Sequence, residues 1–430
     1  MTAPGSSWGR YPRATQTIAP VHWRDAALPR CAGTMLPYGN GRSYGDVCLN
    51  DGGTLLAARG LDRFLEFDAE RGILRCEAGT LFSEILELIV PHGWFLQVTP
   101  GTRYITVGGA IANDVHGKNH HRAGTFGEHL LRFELLRSDG TRVGCSPIEH
   151  ADLYTATIAG LGLTGLITWA EFSLQRIAGP YMTTQTRRFG SLAEFFALSV
   201  DAERDHDYVV AWVDCAARKS PGRGVLFSAN HASAGSTAKA PGKARLAMPL
   251  TPPFSLINSL SLRAFNELYF NAAREGTATI HYAPYFYPLD TIAEWNRIYG
   301  PRGFLQYQCV VPPARAQETV RELLGRIAAS GSGSFLSVLK MFADRPPTGI
   351  LSFARAGTTL ALDFPNRGDA TFSLLDRLDD VVAAVGGAVY PAKDARMRGE
   401  RFRAYFPRWH EMLAHVDPRF SSGFWRRVTE

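Results

Sequence analysis

From Leu36 to about Leu174 the chain alternates short apolar runs with glycine-rich turns; after about residue 176 longer elements take over. In the first part Thr80 is placed to cap a helix whose apolar face is Leu81, Ile85, Leu88 and Ile89. Pro91 and Gly93 end that helix. Further on, residues 208–214, 304–311 and 335–342 predict strands, and in 358–364 Leu360, Leu362 and Phe364 alternate with their neighbours. Residues 314–329 set Val320, Leu323, Leu324 and Ile327 on one helical face. A second helix, with Phe372, Leu375, Leu378 and Val382 inward, stops at Gly386-Gly387. Residues 229–247, polar and small, read as a long mobile loop. The pattern predicts an α+β fold, in which an antiparallel sheet is covered by helices on one side.

At 430 residues the chain exceeds one comfortable core, so two domains, or one with an insertion, are expected. A hydrophobic share of 45% and a charged share of 20% mark a folded chain. The net charge of +6 fits either a solvated basic surface or a local patch that attracts phosphates or an anionic membrane. Its densest tract, Arg396, Arg398, Arg401 and Arg403, is interrupted by Glu400, so a nucleic-acid partner is not expected. Six scattered cysteines without C-x-x-C spacing suit a reducing compartment. The first residues carry no apolar core, and no run of about 18 apolar residues occurs. A cytoplasmic protein is expected, with peripheral contact at the inner membrane left open.

Gly39-Asn40-Gly41-Arg42-Ser43-Tyr44-Gly45 can turn successive N–H groups into one concavity, a nest for an anion such as pyrophosphate. A glycine-rich hairpin would look the same. Tyr44 stands where the dinucleotide fingerprint needs its third glycine, and no Walker lysine follows. The second stretch, TVGGAIAN (106–113), allows close approach of backbone to a ligand, and HGKNHH (116–121) follows it. A metal reading would use His116, His120 and His121 with Asp114. The spacing matches no metal motif and Lys118 would repel a cation, so no metal is expected. A cofactor or substrate site is the better expectation.

These two stretches, followed by GLGLTGLI (160–167), resemble the FAD-binding domain of the vanillyl-alcohol-oxidase/p-cresol-methylhydroxylase superfamily. Within it the chain is most similar to the polyprenylphosphoryl-ribose 2′-oxidases, through YVVAWVD (208–214), FLQYQ (304–308), FLSVLKMF (335–342), LDFP (362–365) and YPAKD (390–394). The resemblance implies a two-domain flavoprotein. Residues 1–176, completed by 389–430, would bind FAD, and 177–388 would form the substrate domain. Matching positions imply that Gly39, Asn40, Gly41, Arg42, Ser43, Tyr44, Gly45, Gly101, Thr102, Thr106, Val107 and Gly109 cradle the pyrophosphate and ribityl chain. Asn113, His116, Gly117, Asn119 and Gly124 would line the flavin. Gly162, Gly165 and Ile167 would border the adenine or ribityl region, and Tyr390 would lie against the cofactor. Relatives with covalent FAD carry a histidine where Arg42 stands, and no cysteine occupies the second motif, so non-covalent FAD is expected.

The resemblance also implies oxidation of a sugar secondary alcohol to a ketone. The expected substrate is the 2′-hydroxyl of a polyprenylphosphoryl-β-D-ribose, in the first half of an epimerisation to an arabinose donor. An NAD(P)H-dependent ketoreductase would be the partner for the second half. The alternative is another sugar, an alditol, an aldonolactone or a sugar on a natural product. Lys393 and His116 are implied near the reacting centre, Lys393 as base or as a charge that stabilises reduced flavin, with Tyr44 orienting the substrate. Lys118, Trp212, Gln306, Gln308 and Lys340 are implied in the substrate pocket. Lys393 and Asp394 would also suit an ordinary surface ion pair, and the aromatic run 282–287 an ordinary core.

Overall fold

The computed structural model describes residues 5–217, 222–238 and 246–430. Its largest element is an eight-stranded antiparallel sheet. The order from one edge is Gly276–His281, Tyr181–Phe189, Gly224–His231, Tyr208–Val213, Ser337–Phe342, Gly357–Pro365, Phe304–Val311 and Ala388–Val389. The helices Ala316–Ser330 and Asp369–Ala384 bury the faces expected of them. They pack on Tyr307, Cys309, Leu339, Leu360, Leu362 and Phe364 in one continuous core. These positions alternate along their strands, so a single face of the sheet meets the helices. The opposite face carries Trp212, Val338, Lys340, Thr359, Ala361, Asp363, Gln306 and Gln308, which the strand register sets side by side.

The first part of the chain forms a three-stranded parallel sheet (Thr17–Pro20, Thr54–Ala57 and Met35–Tyr38) and a six-stranded antiparallel sheet centred on Leu166–Arg176. The first helix is Phe82–Ile89, with Leu81 rather than Thr80 at its cap, because the Glu84 carboxylate accepts from the Leu81 N–H at 2.8 Å. Its buried face is therefore Phe82, Ile85, Leu86 and Ile89. The stretch expected as one long loop, 229–247, starts inside a strand and ends in another, Leu246–Ala247, paired with Ile292–Ala293. Alternation at Ala229-Asn230-His231 continues the ladder opposite Met182, Thr183 and Thr184. Residues 239–245 of that stretch lie outside the described residues. The aromatic run 282–287 is core: Tyr282, Tyr285, Phe286 and Tyr287 pack with Phe95, Met182 and Tyr208. Within the arginine tract Arg396 pairs with Asp376 and Asp379, and Arg401 with Asp380.

Candidate active site

Four segments far apart in sequence converge in front of the polar sheet face. The first glycine loop abuts the second: Asn40 Nδ2 donates to the Tyr104 carbonyl at 2.7 Å, and a Cβ on Gly39 would stand 2.4 Å from Thr106 Oγ1. It also abuts the C-terminal segment. Tyr44 N–H donates to the Ala392 carbonyl at 3.0 Å, and a Cβ on Gly45 would lie 1.7 Å from the Asp394 carbonyl. The third stretch closes on the second through Ala159 N–H to Ile111 O and Leu161 N–H to Ala112 O. Gly162, at φ +78°, packs on Pro37 beside the first loop, and Tyr390 Oη donates to the Asn113 carbonyl at 2.6 Å.

These surroundings fit FAD. Among the described residues the N–H groups of Gly39, Asn40, Gly41, Arg42 and Ser43 have no acceptor, the state expected of a nest built for an anionic pyrophosphate. Asn113 Oδ1, Asn119 Oδ1 and Arg42 Nε are buried without partners, and such atoms are costly unless a ligand satisfies them. The Arg42 guanidinium lies over the Trp8 ring, 4.0 Å from its centroid. Not every implied residue is free for this task. Val107 turns its side chain into the core and its N–H to Thr80 O. Thr102 donates its hydroxyl to Asp290, the Gly109 N–H is taken by Thr106 Oγ1, and Ile167 is core. Gly117 packs against Asn119 and Thr99, Gly124 against Glu128 and Gly165 against Leu135 and Leu136, while Gly101 is open.

His116 stands between two strands of the polar face. Its Nδ1 is 2.8 Å from Lys340 Nζ and its Nε2 is 3.0 Å from Gln308 Nε2, with Phe342 and Tyr390 on its flanks. A neutral imidazole accepts at one nitrogen and donates at the other. The consistent arrangement has Nδ1 accepting from Lys340 and Nε2–H donating to Gln308 Oε1, which requires the carboxamide turned end for end. Burial first, then the positive charges of Lys340, His120 and Lys393, hold the His116 pKa well below its usual value. It is a neutral hydrogen-bonding group. His121 Nε2 faces the His206 carbonyl and His120 packs on Phe342, so the three histidines do not converge.

Only six of the 46 basic residues are lysines, and Lys219, Lys239 and Lys243 fall outside the described residues. The other three, Lys118, Lys340 and Lys393, all lie here. Burial lowers Lys118 to about 7; Lys340 falls to about 7 by burial and by repulsion from Lys118 and Lys393. Lys393 falls to about 8 by burial, against which Asp363 acts. Lysine shifts readily when desolvated, whereas arginine stays charged. Lys340 also donates to the Gly117 carbonyl at 2.5 Å. Lys118 donates to the Tyr285 carbonyl and lies over that ring, 4.3 Å from its centroid.

Lys393 Nζ stands 4.0 Å from the centroid of the Tyr44 ring, and the Tyr44 hydroxyl hydrogen-bonds Gln306. Burial raises the Tyr44 pKa well above its usual value, with the Asp363 charge adding to it, so the phenol stays protonated. The sequence neighbours Lys393 and Asp394 are not an ion pair: Asp394 binds Arg427 at 3.0 Å and accepts from the N–H groups of Arg396 and Met397. Gln306 and Gln308 are both buried. Trp212 is buried too, its indole N–H donating to the Phe335 carbonyl at 3.0 Å. Residue-by-residue reading missed Asp363 and Thr359, which touch Gln306 and Gln308. A lone acid within LDFP was the available signal, since an apolar strand rarely holds an unpaired carboxylate.

Comparison with known proteins agrees with the site. A family model described as an FAD binding domain matches residues 30–146. The chain is 36% identical over 420 residues to decaprenylphosphoryl-beta-D-ribose oxidase of Mycolicibacterium smegmatis, covering 92% of this chain and 89% of that protein. An uncharacterized protein in the mprA 5′ region of Streptomyces coelicolor is 36% identical over 367 residues, 80% of this chain and 98% of that one. A short match, 32% over 110 residues, links 26% of the chain to 21% of human delta(24)-sterol reductase. With the nest, the converging glycine segments and this near full-length likeness together, the chain belongs to the decaprenylphosphoryl-β-D-ribose oxidase family and is an FAD-dependent oxidoreductase of the p-cresol-methylhydroxylase type.

Proposed function

We propose that the protein oxidises the 2′-hydroxyl of a polyprenylphosphoryl-β-D-ribose to the ketone, the first half of an epimerisation completed by an NAD(P)H-dependent ketoreductase. The observation that carries the reading is the gathering of Lys118, Lys340 and Lys393 with His116, Tyr44 and two buried glutamines on one sheet face, in a chain similar over 92% of its length to an oxidase of that name. Residues 1–176 with 389–430 bind the cofactor in this reading, and 177–388 meet the substrate.

FAD, held without a covalent bond, supplies the hydride acceptor. Lys393 in its neutral form takes the proton of the sugar hydroxyl at Nζ, because burial keeps that amine near about 8. Tyr44 stays protonated and orients the hydroxyl, and Gln306 fixes the phenol. His116 and Gln308 line the site as neutral groups, while the Lys340 and Lys118 amines offer N–H donors to the phosphate or to the developing anion. Leu250, Phe254, Leu260 and Leu268 are exposed on one short segment. They support contact with the cytoplasmic side of the inner membrane, as expected for a lipid-linked substrate. No helix among the described residues is long and apolar enough to cross a membrane.

The test is anaerobic titration of the yellow protein with a polyprenylphosphoryl-ribose analogue, read as bleaching of the flavin band. Bleaching supports the reading; a flavin that bleaches only with a free alditol or aldonolactone refutes the substrate assignment. Acid precipitation should release the flavin into the supernatant. Cosedimentation with anionic liposomes should fall when Leu260 and Leu268 become serine, and unchanged association would exclude this surface.

A further inference from the structure

The carboxyl group of Asp363 has no place in the chemistry described so far, yet it is fully buried. One oxygen, Oδ1, accepts from Gln306 Nε2 at 2.7 Å, and Oδ2 has no partner among the described residues. Strand register sets Gln306 directly opposite Asp363, so both side chains leave the sheet on its polar face. Gln306 in turn binds the Tyr44 hydroxyl, and Lys393 lies over the Tyr44 ring. We propose that Asp363 is a positioning residue for the oxidation: it fixes Gln306 against Tyr44, and its carboxylate is the anion that sets the charge Lys393 carries when the substrate arrives. The inference rests on the role given to Lys393 under Proposed function.

The neighbourhood singles out that pairing. Asp394 is committed to Arg427. The groups around Asp363 are Gln306 on the next strand, Tyr44 from the glycine loop, Tyr299 and Lys393, and of these only Lys393 can carry positive charge. Lys340 lies on the neighbouring strand but answers to Lys118 and Lys393, and Lys118 answers to burial alone. Burial raises the Asp363 carboxyl to about 7, so near neutrality a proton is divided between it and Lys393. Moving that proton breaks an N–H bond of Lys393 and forms an O–H bond on Asp363, or the reverse, with no change of oxidation state, and losing the carboxylate charge lowers the basicity of the amine.

Six lysines make a sparse spectrum, so the claim is tested without turnover by carbon-13 NMR of lysine-labelled holoenzyme. Loss of a signal in Lys393→Arg identifies Lys393. In Asp363→Asn the Lys393 titration midpoint should move to lower pH by about one unit or more, while Lys118 stays in place and Lys340, relieved of part of the Lys393 charge, moves only toward higher pH. The same variant should move the pH limb of anaerobic flavin reduction to lower pH, whichever form of Lys393 acts. A Lys393 midpoint that does not move, or three lysines that move together, overturns the proposal. If the asparagine variant does not fold, the wild-type curve decides: Lys393 must show a second, smaller inflection from Asp363, and a single inflection overturns it. Because no substrate enters the NMR measurement, a wrong substrate assignment leaves this result standing, and the two failures are distinct.

Discussion

Replacing Lys340 by methionine separates the cost of burying an amine from the value of its hydrogen bonds. An unfolded chain titrates this lysine near 10.5 and the fold near about 7. At about 1.36 kcal/mol per pH unit, charging it inside the fold costs roughly 4–5 kcal/mol at pH 7 and below. The folded pKa is lowered, so between pH 7 and 10.5 the unfolded state binds the extra proton and wild-type stability rises with pH. Methionine abolishes that rise. It also leaves His116 Nδ1 and the Gly117 carbonyl without their donor, a loss of about 1–3 kcal/mol each that does not vary across this range. Urea unfolding of matched flavin-loaded proteins at pH 7, 8, 9 and 10 isolates the variable part. The stability of the variant relative to wild type should fall by roughly 3–4 kcal/mol from pH 7 to 10. A difference that stays level across those four pH values would falsify the claim that Lys340 is neutralised by burial.

Lys393→Met should keep its flavin but slow anaerobic reduction by about 10²–10⁴-fold; in wild type the rate should climb with pH through a midpoint near about 8, and a flat pH profile argues against a neutral lysine as base. Gly45→Ala places a methyl group 1.7 Å from the Asp394 carbonyl, so the 392–394 segment must shift; the purified variant should show a clearly reduced ratio of flavin to protein absorbance, and full occupancy refutes the close approach. Ser352→Ala removes a 2.6 Å hydrogen bond to buried Asp114 and should cost about 1–3 kcal/mol. Burial already raises the Asp114 pKa, so protonation relieves the charge as pH falls, and the loss read from urea midpoints should be larger at pH 7 than at pH 5.

The elements were legible wherever one periodicity dominated. Leu360, Leu362 and Phe364 announce their strand, and residues 304–311 form a strand with the bounds expected of them. The cap at Leu81 was not legible from Thr80, because the deciding group is the Glu84 side chain reaching back. The four segments of the site were named by resemblance, but their closure depends on contacts such as Tyr44 to Ala392, which no local rule supplies. Charge partners were the least visible part. Sequence adjacency offers Asp394 to Lys393, yet backbone direction gives Asp394 to Arg427, 33 residues away. Gln306 meets Asp363 only because two strands, with a helix and a further strand between them in the chain, pair in one register. Glutamines two apart on a strand read equally well as facing water until that register is known.

The two-sided sheet also bears on how such an enzyme can change its preference. In the strand Gly357–Pro365, Leu360, Leu362 and Phe364 belong to the core beneath the helices, while Thr359, Ala361 and Asp363 point to the opposite side. Substitution at the second set alters the face given to the substrate in the proposed reading and leaves the first set untouched. A single inserted or deleted residue exchanges the two sets, sending leucines toward the ligand and a carboxylate into the hydrocarbon layer. Descendants of this chain are therefore free to drift at alternate positions such as 338 and 361, where new sugars or lipids can be accommodated one side chain at a time. A change in the length of such a strand would carry the cost of that exchange at every position beyond it.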